Sequence, residues 1–177
     1  DDYTSLFIFE EEGNIQDLIH ELKYNGKFKV GIFLGKLLAD GRSKHIESWR
    51  ANLIIPIPLF HLKKIERGYN QADYIAKGLS KNLKIKYSSK IVKRIKNTLS
   101  QTKLSSIERK SNMESAFSLR NGKSINGKRI ILVDDVITTG ITVLEVAKVL
   151  KGNGAEKVYS LSVATPLISH TIRSRNA

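Results

Sequence analysis

No cysteine occurs in the 177 residues. Disulfides, thiol nucleophiles and cysteine-ligated zinc are thereby excluded from the chemistry of this chain. No apolar run approaches the ~20 residues that a membrane span needs. No segment has the form of a secretory signal either, so a soluble, cytoplasmic protein is expected. The histidines, His20, His45, His61 and His170, stand at no paired metal-binding spacing and receive no role. Internal repeats and low-complexity linkers are also lacking, and the length suits one domain over 1–177 with its own core.

What is present is charge, unevenly placed. The formal net charge is +13, yet seven of the seventeen acids fall in the first 21 residues, which hold no Lys or Arg. Thirty bases therefore face ten acids in the rest of the chain. Such a surface attracts polyanions, either nucleic acid or a small ligand dense in phosphate, although many lysines only solvate a surface. Lys81–Lys110 is the densest part, with ten Lys or Arg against Glu108 alone. A hydrophobic fraction of 41% marks a folding sequence.

Periodicity gives the elements. Ile15, Leu18, Ile19 and Leu22 recur at helical spacing, with Asn14 as a cap and Gly26 as a stop. A second helix is expected over Val30–Ala39, ending at Gly41. Ala51–Pro58, ANLIIPIP, reads as a short buried strand broken by alternate prolines. Ala72, Ile75, Ala76 and Leu79 place a helix over Asn70–Leu83, and a weaker strand follows around Ile91–Ile95. Leu99–Asn112 is polar, without a period, and reads as a long mobile loop. Arg129–Val133 is a central strand, Val143–Leu150 a helix stopped by Gly152 and Gly154, and Lys157–Ala164 a last strand. Strands alternating with helices point to a parallel α/β sheet.

The run that carries chemistry is RIILVDDVITTGITV, Arg129–Val143. In open α/β sheets ligands bind beyond the carboxyl ends of the strands, where Asp134 and Asp135 fall. Two adjacent carboxylates repel and are costly to bury together, so they must face water or a ligand. As acceptors they match the paired donors of a vicinal diol such as ribose. Thr138–Thr142 then turns about Gly140 into a helix N-terminus. Unpaired N–H groups, threonine hydroxyls and the helix dipole all suit a phosphate there. Diol and phosphate side by side describe a ribose 5-phosphate. No Gly-Lys-Ser/Thr follows the run, so it is not a Walker A motif, and the chain lacks a GxGxxG fingerprint.

Four apolar residues, two acids, two apolar residues and Thr-Thr-Gly-x-Thr closely resemble the signature by which phosphoribosyltransferases bind PRPP (5-phosphoribosyl 1-pyrophosphate). Ile55–Ser80, IPIPLFHLKKIERGYNQADYIAKGLS, resembles the ComF (competence protein F) branch, with its Pro-x-Pro strand end and Arg-Gly-aromatic-Asn-Gln opening a helix. Arg94, Thr98, Gln101, Leu104, Arg109, Asn112 and Ala116-Phe117 form a second ComF-like string, and ELKYNG, Glu21–Gly26, fits the family's first helix. The resemblance thus spans about Tyr24 to Ala164. It implies a type I phosphoribosyltransferase-like α/β fold: a central mostly parallel sheet flanked by helices, with a mobile hood or lid segment. ComF proteins typically carry an N-terminal cysteine-rich zinc module that has no counterpart here. The chain opens on Asp1, and the natural protein is expected to extend upstream.

The activity implied is binding of PRPP with Mg²⁺ and transfer of its ribose 5-phosphate to a nitrogen nucleophile. Asp134 and Asp135 would hold the ribose hydroxyls and the metal, directly or through water. Ile137, Thr138, Thr139, Gly140, Ile141 and Thr142 would surround the 5-phosphate, and Pro56, Ile57, Pro58 and Arg67 the pyrophosphate. Gln101, Lys103 and Arg109 would lie on the lid, and Asp134, Asp135 and Arg109 are the catalytic candidates. Plainer roles compete. The prolines also read as a strand end, Arg67 as a surface charge, and Tyr69, Asn70 and Gln71 as cap and staple of their helix. Phe117 reads as core. The alternative function is a non-catalytic PRPP sensor or a single-stranded-DNA-associated protein of DNA uptake (competence), using the basic stretch.

Overall fold

The computed structural model describes residues 2–9, 14–24, 26–96, 116–121 and 124–166. In chain order the elements are β1 (Asp2–Phe9), α1 (Asn14–Tyr24), α2 (Phe28–Ser48), β2 (Leu53–Pro56), α3 (His61–Arg67) and α4 (Gln71–Leu83). They continue with β3 (Lys86–Tyr87), β4 (Val92–Arg94), β5 (Phe117–Leu119), β6 (Arg129–Val136), α5 (Ile141–Gly152) and β7 (Lys157–Pro166). Five strands make one sheet in the order β1-β7-β6-β2-β3, every pair parallel. The β4–β5 ribbon is separate and antiparallel.

The continuous apolar run of β6 follows from burial on both faces. Ile130 and Leu132 enter one core cluster with Leu53 and Ile55 of β2 and Val143, Val146 and Leu150 of α5. Ile131 and Val133 enter the other, with Leu22 of α1, Leu34 and Leu38 of α2, and Ile75 and Leu79 of α4. Helix α5 and the ribbon thus cover one face of the sheet, while α1, α2 and α4 cover the other. Phe117 is buried in the first cluster, as a core residue. Among the described residues, no helix is long and apolar enough to cross a membrane.

Several boundaries differ from the periodicity. Helix α2 is broken where the sequence ends its second helix: Arg42, next to Gly41, is non-helical (φ −127°, ψ 15°), and a further helical stretch runs on from this kink to Ser48. Arg42 donates from Nε to Ser5 O (2.9 Å) and from Nη2 to Leu6 O (3.3 Å), which ties the kink to β1. The strand expected over Ala51–Pro58 is only Leu53–Pro56. Strand β6 outruns its apolar part to Val136, which places both aspartates inside its last turn of ladder rather than beyond it. The loop expected over Leu99–Asn112 lies outside the described residues.

Candidate functional site

Because every strand of the main sheet is parallel, the carboxyl ends of β2, β6 and β7 open on one side. Asp134 pairs with Ser162 across β6–β7, so its backbone is fixed by the ladder and only its side chain is available. Asp134 Oδ1 accepts from the Asp135 N–H (2.9 Å), and Asp135 Oδ1 accepts from the Val136 N–H (2.8 Å). Each carboxylate is thereby oriented by its successor's amide. The second oxygen of Asp135 pairs with Lys23 Nζ of α1 at 2.9 Å, and both side chains are largely enclosed (13% and 26% exposed). Burial, and then the charge of Asp135, push the Asp134 carboxyl well above the usual carboxylate range; the Asp135 amide and Lys23 pull the other way.

Beyond Val136 the chain is pinned before it turns. The Ile137 N–H donates to Ala164 O (3.2 Å), and Thr165 Oγ1 donates to Ile137 O (3.0 Å). Thr138–Gly140 form the bend, and Ile141 and Thr142 begin α5. Gly140 is left-handed (φ 71°) and makes no side-chain cap bond; its carbonyl accepts the Leu144 N–H at 2.9 Å. Glycine is needed here for its backbone conformation, since an added Cβ would meet nothing within 4 Å. The amides of the first helical turn have no partner inside the helix. The bend encloses a cavity of about 40 Å³ lined by Asp134 and residues 136–143. That is space for a group several waters in size, on the scale of ~10–15 Å³ per water.

A second cavity of about 200 Å³ adjoins it, sharing Asp134 and Thr142. Its lining brings Asp135 and Lys23 together with Lys63, Arg67, Asn70, Gln71 and Arg94 and the segment Ile57-Pro58-Leu59. The basic side chains crowd one another. Burial, and then the charges of Arg94 and Arg67, hold the Lys63 ammonium below its usual value. Burial also lowers Arg94, which Asp134 partly offsets. A cleft lined by two carboxylates and four basic side chains suits a ligand that carries both hydroxyl donors and anionic oxygens.

The residues expected to act together fall as follows. Asp134, Asp135 and Thr142 meet Ile57, Pro58 and Arg67 around the larger cavity, and Ile137, Thr138, Thr139, Gly140 and Ile141 line the smaller. Pro56 is the last residue of β2, paired with Val133, and lines a neighbouring hollow with Pro58 and Arg120. Gln101, Lys103 and Arg109 lie outside the described residues. Asn70 does not cap its helix; its amide donates to Ile57 O (2.9 Å). Tyr69 donates to the Leu22 carbonyl and so ties α1 to the start of α4. Lys23, Lys63, Gln71 and Arg94 were not singled out from sequence as site residues. For Lys63 a signal existed, since it stands four residues before Arg67 and shares its helix face.

A parallel α/β sheet whose strand ends open on an acid pair and an uncapped helix start is the class of protein that fold and site define. Residues 66–170, more than half of the chain, match the family described as phosphoribosyl transferase domain, and the chain belongs to that family. Within it the chain is homologous to the competence protein F group. It is 40% identical over 152 residues to Competence protein F of Haemophilus influenzae, covering 83% of this chain and 66% of that protein. It is 34% identical over 149 residues to the DNA utilization protein YhgH of Escherichia coli K12, covering 81% and 64%. The chain thus spans about two thirds of the length of these curated relatives. Among solved structures, the glutamine PRPP amidotransferase from B. subtilis superposes with a TM-score of 0.53 at 19% identity, over 81% of this chain and 30% of that one. The allosteric regulatory enzyme of purine biosynthesis gives 0.50 at 21%, over 75% and 25%. At these identities the likeness is one of fold.

Proposed function

We propose that the protein binds PRPP and transfers its ribose 5-phosphate to a nitrogen nucleophile, in a role linked to DNA uptake. The observation that carries this reading is the adjacency of the two cavities, joined by Asp134 and Thr142. A phosphate seated in the Thr138–Thr142 bend would set a ribose over the acid pair and its 1-diphosphate towards Arg67. Asp134 and Asp135 would accept from the ribose hydroxyls and hold the anomeric carbon in register with the nucleophile. The bond from that carbon to the diphosphate oxygen breaks, the bond to nitrogen forms, and the nucleophile loses its proton. Arg109, with Lys103 and Gln101, is assigned by resemblance to a lid over the departing diphosphate.

Mg²⁺ fits the residues present. Among the described residues no group of three or more His, Cys, Asp or Glu could hold a metal. Mg²⁺ bound with a phosphorylated substrate needs only one or two protein carboxylates, the rest coming from phosphates and water. Asp134 and Asp135 would hold it, and when bound it would neutralise charge on the diphosphate. Replacing both aspartates by Asn keeps shape and removes charge. Calorimetry should then show Mg²⁺-dependent PRPP affinity falling at least tenfold, ~1.4 kcal/mol. Unchanged affinity removes the pair from the site.

A second reading rests on the printed names of the relatives, which speak of competence and DNA utilization. It makes the protein a non-catalytic PRPP sensor or a single-stranded-DNA binder. Arg94 of the basic stretch lines the cleft rather than an outer surface, which leaves its lysines for a nucleic-acid backbone. PRPP binding without pyrophosphate release, across a panel of nitrogen bases, would favour this reading.

A further inference from the structure

Helix α4 begins at the cleft in an unusual way. Its N-cap residue is Asn70, one of the strongest capping residues, yet the Asn70 side chain makes no cap bond and donates instead to Ile57 O at 2.9 Å. The opening of this 13-residue helix therefore has no side-chain cap, and of its first amides the Asp73 N–H donates to Asn70 O at 3.1 Å. The next residue, Gln71, is 3% exposed. Its Oε1 accepts from Arg67 Nη1 at 3.2 Å. A guanidinium can only donate, so this contact fixes which end of the amide is oxygen and turns Nε2 the other way. Nε2 is buried and has no hydrogen-bond partner among the described residues. Gln71 lines the larger cavity together with Lys63 and Arg67.

An unmet buried donor is costly, and in a folded protein it calls for a reason. Methionine or leucine would fill the same space at no such cost. What Gln71 adds is a donor on a wall already positive from Lys63, Arg67 and the helix start, so the acceptor it lacks is an anionic oxygen. We propose that Gln71 is a ligand-binding residue, donating from Nε2 to a phosphate oxygen held over the start of α4. This makes an anion subsite separate from the Thr138–Thr142 bend. The assignment of that oxygen to the diphosphate of PRPP rests on the function proposed above; the donor itself does not.

The test is Gln71→Met, read by calorimetry against inorganic pyrophosphate with Mg²⁺ and, separately, against PRPP, with the melting temperature measured without ligand. Pyrophosphate affinity should fall at least tenfold while the unliganded melting temperature stays level or rises, because a buried unmet donor has gone. A structural amide would behave oppositely: melting would drop, or affinity would stay within twofold, and either result overturns the proposal. Gln71→Glu gives a second arm. Its carboxylate can pair with Arg67 and preserve the fold, yet it repels an anion, so pyrophosphate binding should be lost. Retained binding in that variant also overturns the proposal. In the wild type, the Gln71 side-chain NH₂ resonance should move on adding pyrophosphate, and a resonance that stays put counts against it. Wild-type binding of pyrophosphate but not PRPP would defeat the phosphoribosyl reading and leave Gln71 to its own result. Binding of neither would defeat both.

Discussion

Burial and the neighbouring charge of Asp135 both oppose ionisation of Asp134, and the ammonium of Lys23 only partly relieves them. The consequence for stability has a definite sign. A carboxyl that titrates higher in the folded chain than in the unfolded one adds stability below the unfolded value, ~3.9. It loses that contribution as pH rises through the folded value. At neutral pH the protein therefore bears a cost at this residue. Asp134→Asn should melt a few degrees above wild type at pH 7, about 2–4 °C for each ~1 kcal/mol in a domain of this size. The difference should shrink towards pH 4, and thermal melts across that range would reveal the convergence. A variant less stable at every pH would mean that the carboxylate supports the fold. Lys23 should behave as the counterpart. Lys23→Met leaves Asp135 enclosed without its partner and should lower the melting temperature at pH 7.

At Gly35 and Gly78 the backbones of helices α2 and α4 come into close contact. A Cβ on Gly35 would lie 2.1 Å from Ile75 O, and one on Gly78 2.2 Å from Ile32 O. Gly35→Ala must therefore push α4 away, at a cost of ~1–3 kcal/mol, visible as a lower urea midpoint. Because α4 starts at Gln71, anion affinity should weaken as well; a midpoint unchanged from wild type would show that the helices separate easily. Which elements were legible follows from where their partners lie. The β6–bend–α5 unit could be read because one stretch of chain holds its apolar run, its acids and its left-handed glycine. Strand β1 could not, since Asp2–Phe9 is defined by β7 more than 150 residues away, and the acids of the first 21 residues drew attention to charge instead. One of them, Asp2, accepts from Trp49 Nε1 (2.9 Å), which holds its carboxyl below the usual range. Helix α3 buries no residue and so shows no apolar stripe to find. The aspartates and the threonine bend could be named from sequence. Lys23 and Gln71 are brought to the cleft only by the packing of α1 and α4, which no local spacing encodes.

At the scale of the molecule, charge and connectivity set the remaining expectations. If the lysines of Lys81–Lys96 track a nucleic-acid backbone, binding of single strands should fall steeply with salt, by ~0.7 in log–log slope for each phosphate neutralised. Anisotropy titrations at several salt concentrations would measure it, and salt-insensitive binding would argue against that use. The order β1-β7-β6-β2-β3 has a different consequence, for how the chain is made. The strand that lies between β1 and β6 is β7, the last in chain order among the described residues. At ~10 residues per second on a ribosome, β1 waits many seconds for its neighbour. Contacts between distant parts of a chain are also slow to form. Until Lys157–Pro166 emerges, Asp2–Phe9 lacks its partner strand, so a nascent chain arrested before Lys157 should be cut by protease within β1, and release of β7 should end the vulnerability.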